Sequence, residues 1–243
     1  MRSVLLDRLR EEKSARLKGG VYQETQIKLC YNSNRIEGSR LSEEQTRYIY
    51  ETNTVHTAAG ETANVDDIIE TVNHFAAFDY LLTVAETPPS ENIVKEFHRL
   101  LKTGTAAGRH APVGEYKNRP NTVGGIETAA PDRVARALGK LLRDYSALSP
   151  TTFADIIGFH CEFEKIHPFQ DGNGRVGRLV VFKECLRHNV TPLIIADEHK
   201  LFYYRGLKEF PVARGYLLDT CRAAQDDYAA MMSYFGIPLG ESG

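Results

Sequence analysis

One stretch of the chain reads His167-Pro168-Phe169-Gln170-Asp171-Gly172-Asn173-Gly174-Arg175-Val176-Gly177-Arg178. A titratable base, a carboxylate, an amide, glycines and two arginines crowd into one short stretch, a mixture that no packing pattern requires. Each part suits phosphate. Gly172-Asn173-Gly174 reads as a turn whose glycines take positive φ and whose successive N–H groups form an anion-binding nest. The helix expected from Val176 to Leu186 aims its N-terminal N–H groups and its dipole at the same point. Arg175 and Arg178, one turn apart, share a face and can fork onto phosphate oxygens. Asp171 is an oxygen ligand suited to Mg²⁺ alongside substrate phosphates. His167, just outside this cradle, is the natural general base.

The same letters contain G-x-G-x-x-G at Gly172, Gly174 and Gly177, with Asp197 where a ribose-binding acid would stand in a dinucleotide fold. That fingerprint must follow a buried strand. Here Phe153, Ile156, Ile157, His160, Phe163 and Ile166 precede it at helical spacing, so the chain enters the loop from a helix and the dinucleotide reading falls.

Position for position, the stretch matches H-P-F-x-[D/E]-G-N-G-R-x-x-R, and through it the chain resembles the Fic family. The resemblance implies a compact helical fold and transfer of AMP from ATP to a hydroxyl side chain of a target protein. His167 would take the hydroxyl proton and Asp171 would hold Mg²⁺. Gly172, Asn173 and Gly174 would hold the phosphates, Asn173 by donating to one of them. Arg175 and Arg178 would stabilise the charge that leaves as pyrophosphate. Taken alone, Glu37 reads as a solvated acid at a helix C-terminus, the electrostatically unfavourable end. Yet Ser33-Asn34-Arg35-Ile36-Glu37-Gly38 matches [S/T]-x-x-x-E-[G/N], the self-inhibitory motif of the family class in which it lies N-terminal to the catalytic motif. The resemblance therefore implies that Glu37 pairs with Arg178 and that Ser33, one turn back, steadies the helix. Tyr203-Tyr204 matches a tyrosine pair that borders the nucleotide in relatives. The Asn that some relatives place beyond it is missing from Lys208-Glu209-Phe210-Pro211. A hairpin flap that docks the target is implied over Gly114 to Gly125, with Tyr116, Lys117, Asn118, Thr122 and Val123 in it. Two other activities stay open: a hydrolase that removes AMP using Glu37, and a regulator that binds nucleotide without transferring it.

The elements that must position these groups follow from periodicity and punctuation. The pattern gives one all-α domain of about eight or nine helices and at most one small β-hairpin. Residues 1–60 hold N-terminal helices including the inhibitory one, and 61–243 the catalytic core. Residues 4–18 form a charged helix expected at the surface, ended by Gly19-Gly20. A second helix spans 21–37. Ser42 with Gln45 is a capping box, and Asn64 caps a helix with Val65, Ile68, Ile69, Val72, Ala76 and Tyr80 as its apolar face. Ser90 caps another, carrying Ile93, Val94, Phe97, Leu100 and Leu101. His56, His74 and His98 have no partners in the sequence and are expected at or near the surface. Residues 103–130 are the longest irregular stretch, a loop long enough to suggest function. Further helices run from Pro131 and from Thr152 into His167. A short apolar link spans Pro192 to Asp197, and helices follow over 198–210 and 212–235. The last should turn Ala213, Tyr216, Leu217, Thr220, Ala224, Tyr228 and Met231 inward. Phe169 is expected to pack inward and anchor the motif loop.

Composition bounds the rest. A hydrophobic content of 42% supports a sizeable core, and a net charge of −2 gives no footprint for nucleic acid. The cysteines Cys30, Cys161, Cys185 and Cys221 are widely spaced and suggest reduced, buried thiols of a cytoplasmic protein. No signal-peptide core and no membrane-length apolar run is present. The partner implied is a target protein, still unidentified. Self-modification and a homodimer stay open.

Overall fold

The computed structural model describes residues 3–57, 60, 62–123 and 126–239. Its hub is α9, Asn173–Arg187, which is buried from Arg175 to Leu186 without an exposed face. A helix apolar or internally paired all round belongs in the middle of a bundle. Around it pack α2 (Val21–Ile36), α4 (Val65–Val84), α5 (Glu91–Lys102) and α8 (Phe153–Ile166). Outside these lie α1 (Val4–Ala15), α3 (Glu43–Thr52) and α7 (Pro131–Ser146), and the antiparallel pair α10 (Lys200–Glu209) and α11 (Arg214–Tyr234) closes on α8. One apolar cluster runs through all of it, from Leu5 to Ile237.

The caps read from the sequence are in place. Ser42 and Gln45 form the reciprocal box of α3, Asn64 caps α4 and Ser90 caps α5. Thr152 and Asp155 make a further box that starts α8, the helix carrying the chain into His167.

Several expectations are corrected. Among the described residues there are eleven α-helices rather than eight or nine, one of them α6 (Ala106–His110), a short turn hidden in the long loop. α1 is not a surface helix: Leu5, Leu6 and Leu9 are buried in the core. Its Glu12 is buried too, because its carboxylate accepts the Tyr22 N–H at 2.9 Å. Gly20, the N-cap residue of α2, has no side chain to do this, so α1 supplies the anion that the helix start prefers. α4 turns Thr71, His74, Ala77, Phe78, Leu81 and Leu82 inward, while Val65 and Val72 are exposed. The sequence pattern misled because this helix faces the motif arginines and buries polar residues there. For the same reason His74 and His98 are fully buried; only His56 is exposed as expected. α11 buries Leu217, Cys221, Ala224, Tyr228 and Met232, so Tyr216 lies outside the buried stripe. All four cysteines are free and buried.

The hairpin exists but is shorter and later than expected. β1 (Thr122–Val123) pairs antiparallel with β2 (Ile126–Glu127), Thr122 opposite Glu127 and Val123 opposite Ile126. Tyr116, Lys117 and Asn118 precede it. Gly124 and Gly125 lie outside the described residues.

Candidate active site

The motif loop is a connection between α8 and α9 held in shape by its own side chains. His167 is the C-cap of α8 in the left-handed region, φ 51° and ψ 64°. A non-glycine residue there is costly and persists only where its surroundings fix it. Phe169 does much of that fixing: it is wholly buried, and His98 stacks on it with centroids 4.0 Å apart. The Gly114 N–H donates to His98 Nδ1 at 2.9 Å, so Nε2 carries the proton and donates to the Asp171 carbonyl at 3.2 Å. Burial holds His98 down at about 4, so it stays neutral in this role.

Asn173 also serves the loop. Its Oδ1 accepts the Phe169 N–H at 2.8 Å and its Nδ2 donates to the Phe169 carbonyl at 2.9 Å. The amide is buried and braces the loop through Oδ1 and one of its two Nδ2 hydrogens. The expected nest changes form. Gly172 has φ 80° and caps α9, which begins at Asn173, so Gly174 is helical. The anion-facing groups are the first turn of a helix rather than a free glycine turn. Gly174 is needed for another reason: a Cβ there would collide with Glu37 Oε1 and Arg178 Nη1.

Arg178 is 7% exposed and fully engaged by α2. Its Nε donates to Ser33 Oγ at 3.0 Å, and its Nη2 to the Ser33 carbonyl at 2.9 Å and to Glu37 Oε1 at 2.7 Å. Desolvation would raise the Glu37 carboxyl, but the charges of Arg178 and Arg175 outweigh it and hold the group below the usual carboxylate range. The Tyr204 hydroxyl donates to the Ile36 carbonyl at 3.1 Å, tying α10 to the same helix end.

Arg175 points elsewhere. Its Nη1 pairs with Glu70 Oε2 at 2.5 Å, while Glu70 Oε1 accepts Lys102 Nζ at 2.5 Å and Lys102 also reaches Asp171 Oδ2 at 2.6 Å. Asp171 Oδ1 accepts the Gly172 N–H at 2.6 Å. Although partial burial opposes it, the charges of Lys102 and Arg175 keep Asp171 below its usual range. Its side chain is about half exposed, at 48%. Among the described residues no cluster of carboxylates, histidines and thiols could hold a metal unaided. One ionised, half-exposed carboxylate fits Mg²⁺ when substrate phosphates complete the shell.

His167 Nδ1 faces the Glu164 carbonyl at 3.3 Å. A carbonyl only accepts, so Nδ1 carries the proton and Nε2 is left as the basic nitrogen. Burial lowers the imidazole to about 4, opposed by the hydrogen bond to Glu164. The ring is thus neutral and able to accept a proton near neutral pH.

A cavity of about 560 Å³ opens beside His167 and Arg178, with Glu37, Val123, Gly174 and Tyr204 among its lining. That size suits a nucleotide-sized ligand. Tyr203 also lines it but is almost fully buried, its hydroxyl 2.6 Å from His160 Nε2. Arg205 and Lys208 stand at the cavity wall.

Sequence reasoning missed Glu70, His98, Lys102, His160 and Glu164. A readable signal existed for some: His98 and Lys102 are polar residues four apart among the apolar positions of α5, and His160, Glu164 and His167 share one face of α8. Lys117, placed in the flap by the resemblance, holds the motif loop instead. It is buried, its N–H donates to the Pro168 carbonyl at 2.9 Å and its Nζ to Asn121 Oδ1 at 2.7 Å. Asn121 in turn donates to the Phe169 carbonyl at 3.1 Å. Tyr116 packs on Phe169 and donates to Glu91 at 2.8 Å. Both residues thus brace the motif loop, while Thr122 and Val123 are exposed on the hairpin.

Residues 88–184 match the family model described as Fic/DOC. A protein adenylyltransferase Fic from Culex quinquefasciatus is 31% identical over 196 residues, covering 76% of this chain and 37% of that one. Another from Nematostella vectensis is 27% identical over 197 residues, covering 77% and 44%. Among solved structures, a Fic domain containing signaling protein from Bacteroides thetaiotaomicron superposes with a TM-score of 0.75 at 22% identity, over 98% of this chain and 99% of that one. The chain belongs to the Fic family. It spans about 37% of the length of the first curated relatives it matches.

Proposed function

We propose that the protein transfers AMP from ATP to a hydroxyl side chain of a target protein, and that Glu37 restrains it. The observation that carries this reading is a single cavity lined by a neutral imidazole, the N-terminal turn of α9 and an arginine locked by a carboxylate from α2. His167 Nε2 takes the hydroxyl proton as that oxygen bonds to the α-phosphorus, and the bond from the α-phosphorus to the bridging oxygen breaks to release pyrophosphate. The first turn of α9 holds phosphate oxygens. Once free of Glu37, Arg178 stabilises charge on the leaving group. Mg²⁺, held by Asp171 and the phosphates, would neutralise part of that charge. The exposed edge of β1 offers main-chain groups to an extended target segment.

Restraint needs little energy. Holding activity at one per cent takes ~2.7 kcal/mol of preference for the blocked state, because ~1.4 kcal/mol is tenfold. The hydrogen-bonded ion pair between Glu37 and Arg178 can supply it.

The test is incubation with α-labelled ATP and a lysate. Glu37→Gly should label protein more strongly than the unchanged chain, and His167→Ala should lose roughly 10²–10⁴-fold while still binding nucleotide. No labelling by any variant would remove the transferase reading. Release of label from pre-modified protein would favour the hydrolase that uses Glu37.

A further inference from the structure

One acidic group in the cavity wall has no role in this account. Glu164 sits on α8 one turn before His167, with its side chain 13% exposed. Its Oε2 stands 3.9 Å from His167 Nδ1, and its Oε1 4.0 Å from His160 Nδ1. Neither distance is a hydrogen bond. Glu164 Oε1 and His160 Nδ1 are both buried without a hydrogen-bond partner among the described residues. The space they occupy is opened by Gly177 on α9: a Cβ there would stand 2.5 Å from Glu164 Oε1 and 2.8 Å from His160 Cε1. His160 Nε2 lies 2.6 Å from the Tyr203 hydroxyl, and His160 Nδ1 faces the carboxyl. One carboxyl therefore lies between two imidazole Nδ1 edges, close to both and bonded to neither. A buried polar atom left unpaired is costly and calls for an explanation.

We infer that Glu164 is a positioning residue for His167: its carboxyl backs the Nδ1 edge of the imidazole and steadies the positive charge the ring acquires when Nε2 takes the substrate's proton. This rests on the reading of His167 as general base. Glu164 exchanges no atom with substrate. The hydroxyl proton goes to Nε2, the Nδ1 proton stays where it is, and the carboxylate needs a shift of about 1 Å to bond it.

Several groups face the pair. On α8 they are His160 and His167, on α9 Arg178, on α2 Glu37 and on α10 Tyr203. Lys117 and Asp171 also act on His167. Burial pushes Glu164 up to about 8; Arg178 pulls it down and Glu37 pushes it up. The acid is thus neutral at low pH and ionises as pH rises through that value, strengthening the base as it does. Withdrawing Glu37 removes one of the charges that hold Glu164 protonated, so relief of inhibition and support of the base act in the same direction.

Two measurements test this. The first follows the ring-nitrogen shifts of His167 by NMR on the unmodified chain from pH 5 to 10. They should show an inflection from the neighbouring carboxyl, absent in Glu164→Gln. The second compares the pH dependence of labelling in Glu37→Gln with that in Glu37→Gln/Glu164→Gln. The parent's rate should climb roughly tenfold through the ionisation of Glu164, a modest share for an orienting carboxylate that does not touch substrate. The double variant should stay flat over that range. Profiles of the same shape, equal or offset by one factor at every pH, would overturn the inference, as would the lack of an inflection in the unmodified chain. The NMR reading needs no turnover, and the comparison with Glu164→Gln separates this carboxyl from Lys117, which also acts on His167. If His167→Ala labels at the parental rate, the base assignment fails, and the inflection still decides whether Glu164 and His167 are coupled.

Discussion

At the scale of single residues, the site depends on charges that the motif itself does not contain. Lys102 is buried at 3% exposure and bonds both Glu70 and Asp171, while Glu70 also pairs with Arg175. A lysine pays for such burial only when its charge is matched, and deleting one partner leaves the others uncompensated. Lys102→Met should therefore destabilise the chain by about 3 kcal/mol, the low end for a broken buried pair because Asp171 keeps contact with water. In a domain of this size that lowers the melting temperature by roughly 6–12 °C, readable by circular dichroism. A melting temperature within about 2 °C of the parent would mean that the ammonium is not part of a closed cluster. The two arginines of the motif have diverged for the same reason. Their spacing on α9 is legible, but their partners come from α4 and α2, far away in the sequence. Asn173 makes the complementary point. Its amide looks wholly available for phosphate, yet Phe169 uses its oxygen and one of its two N–H groups.

At the scale of elements, α2 is placed by its two ends. Glu12 of α1 caps its start, and Ser33 with Glu37 grips Arg178 at its finish. Most helices and their caps were legible because Ser42, Asn64, Ser90 and Thr152 signal their starts locally. The faces of α1 and α4 were not, since each mixes polar residues with its buried apolar ones: Glu12 in α1, Thr71 and His74 in α4. The hairpin was legible as turn-rich composition; its register was not, because two-residue strands carry no alternation. The grip on Arg178 makes a graded prediction. Ser33→Ala deletes the bond from Arg178 Nε but keeps the Ser33 carbonyl and Glu37, whereas Glu37→Gln removes the opposing charge. A hydrogen bond to a charged group contributes ~1.5–3 kcal/mol. Ser33→Ala should thus raise labelling measurably, and by less than Glu37→Gln does. If the order is reversed, or if Ser33→Ala lowers labelling with nucleotide affinity unchanged, the hydroxyl serves the phosphate site rather than the lock.

At the scale of the whole molecule, the buried histidines set the response to acid. Desolvation lowers His74 and His160 from 6.5 to about 3, and His98 and His167 to about 4. The native state thus refuses protons that the unfolded chain accepts. Stability from these groups is full above pH 6.5 and is lost as pH falls below it. Glu164 has the opposite sign: raised to about 8, it binds a proton in the native state that the unfolded chain releases above its ordinary value of 4.5. Between pH 4.5 and 6.5 four histidines oppose one carboxyl. The unfolded chain then binds up to about three more protons than the native one, a slope on the order of 4 kcal/mol per pH unit at its steepest. Set against a total stability of roughly 5–15 kcal/mol, this should lower the melting temperature steeply between pH 6.5 and 5, before most carboxylates titrate. Thermal melts followed by circular dichroism from pH 7.5 to 4.5 would show it, and a constant melting temperature over that range would mean that the rings are protonated in place. His74 offers the sharpest control. Both of its ring nitrogens are buried without a hydrogen-bond partner among the described residues, and like charge from Arg175 and Arg178 adds to its desolvation. Replacing an unpaired polar ring by an apolar side chain of similar bulk costs little or stabilises. His74→Leu should therefore melt at or above the parent at neutral pH and lose one proton's worth of the acid slope, about 1.4 kcal/mol per pH unit. A variant that melts lower at pH 7.5 and keeps the full slope would show that His74 has a partner worth keeping.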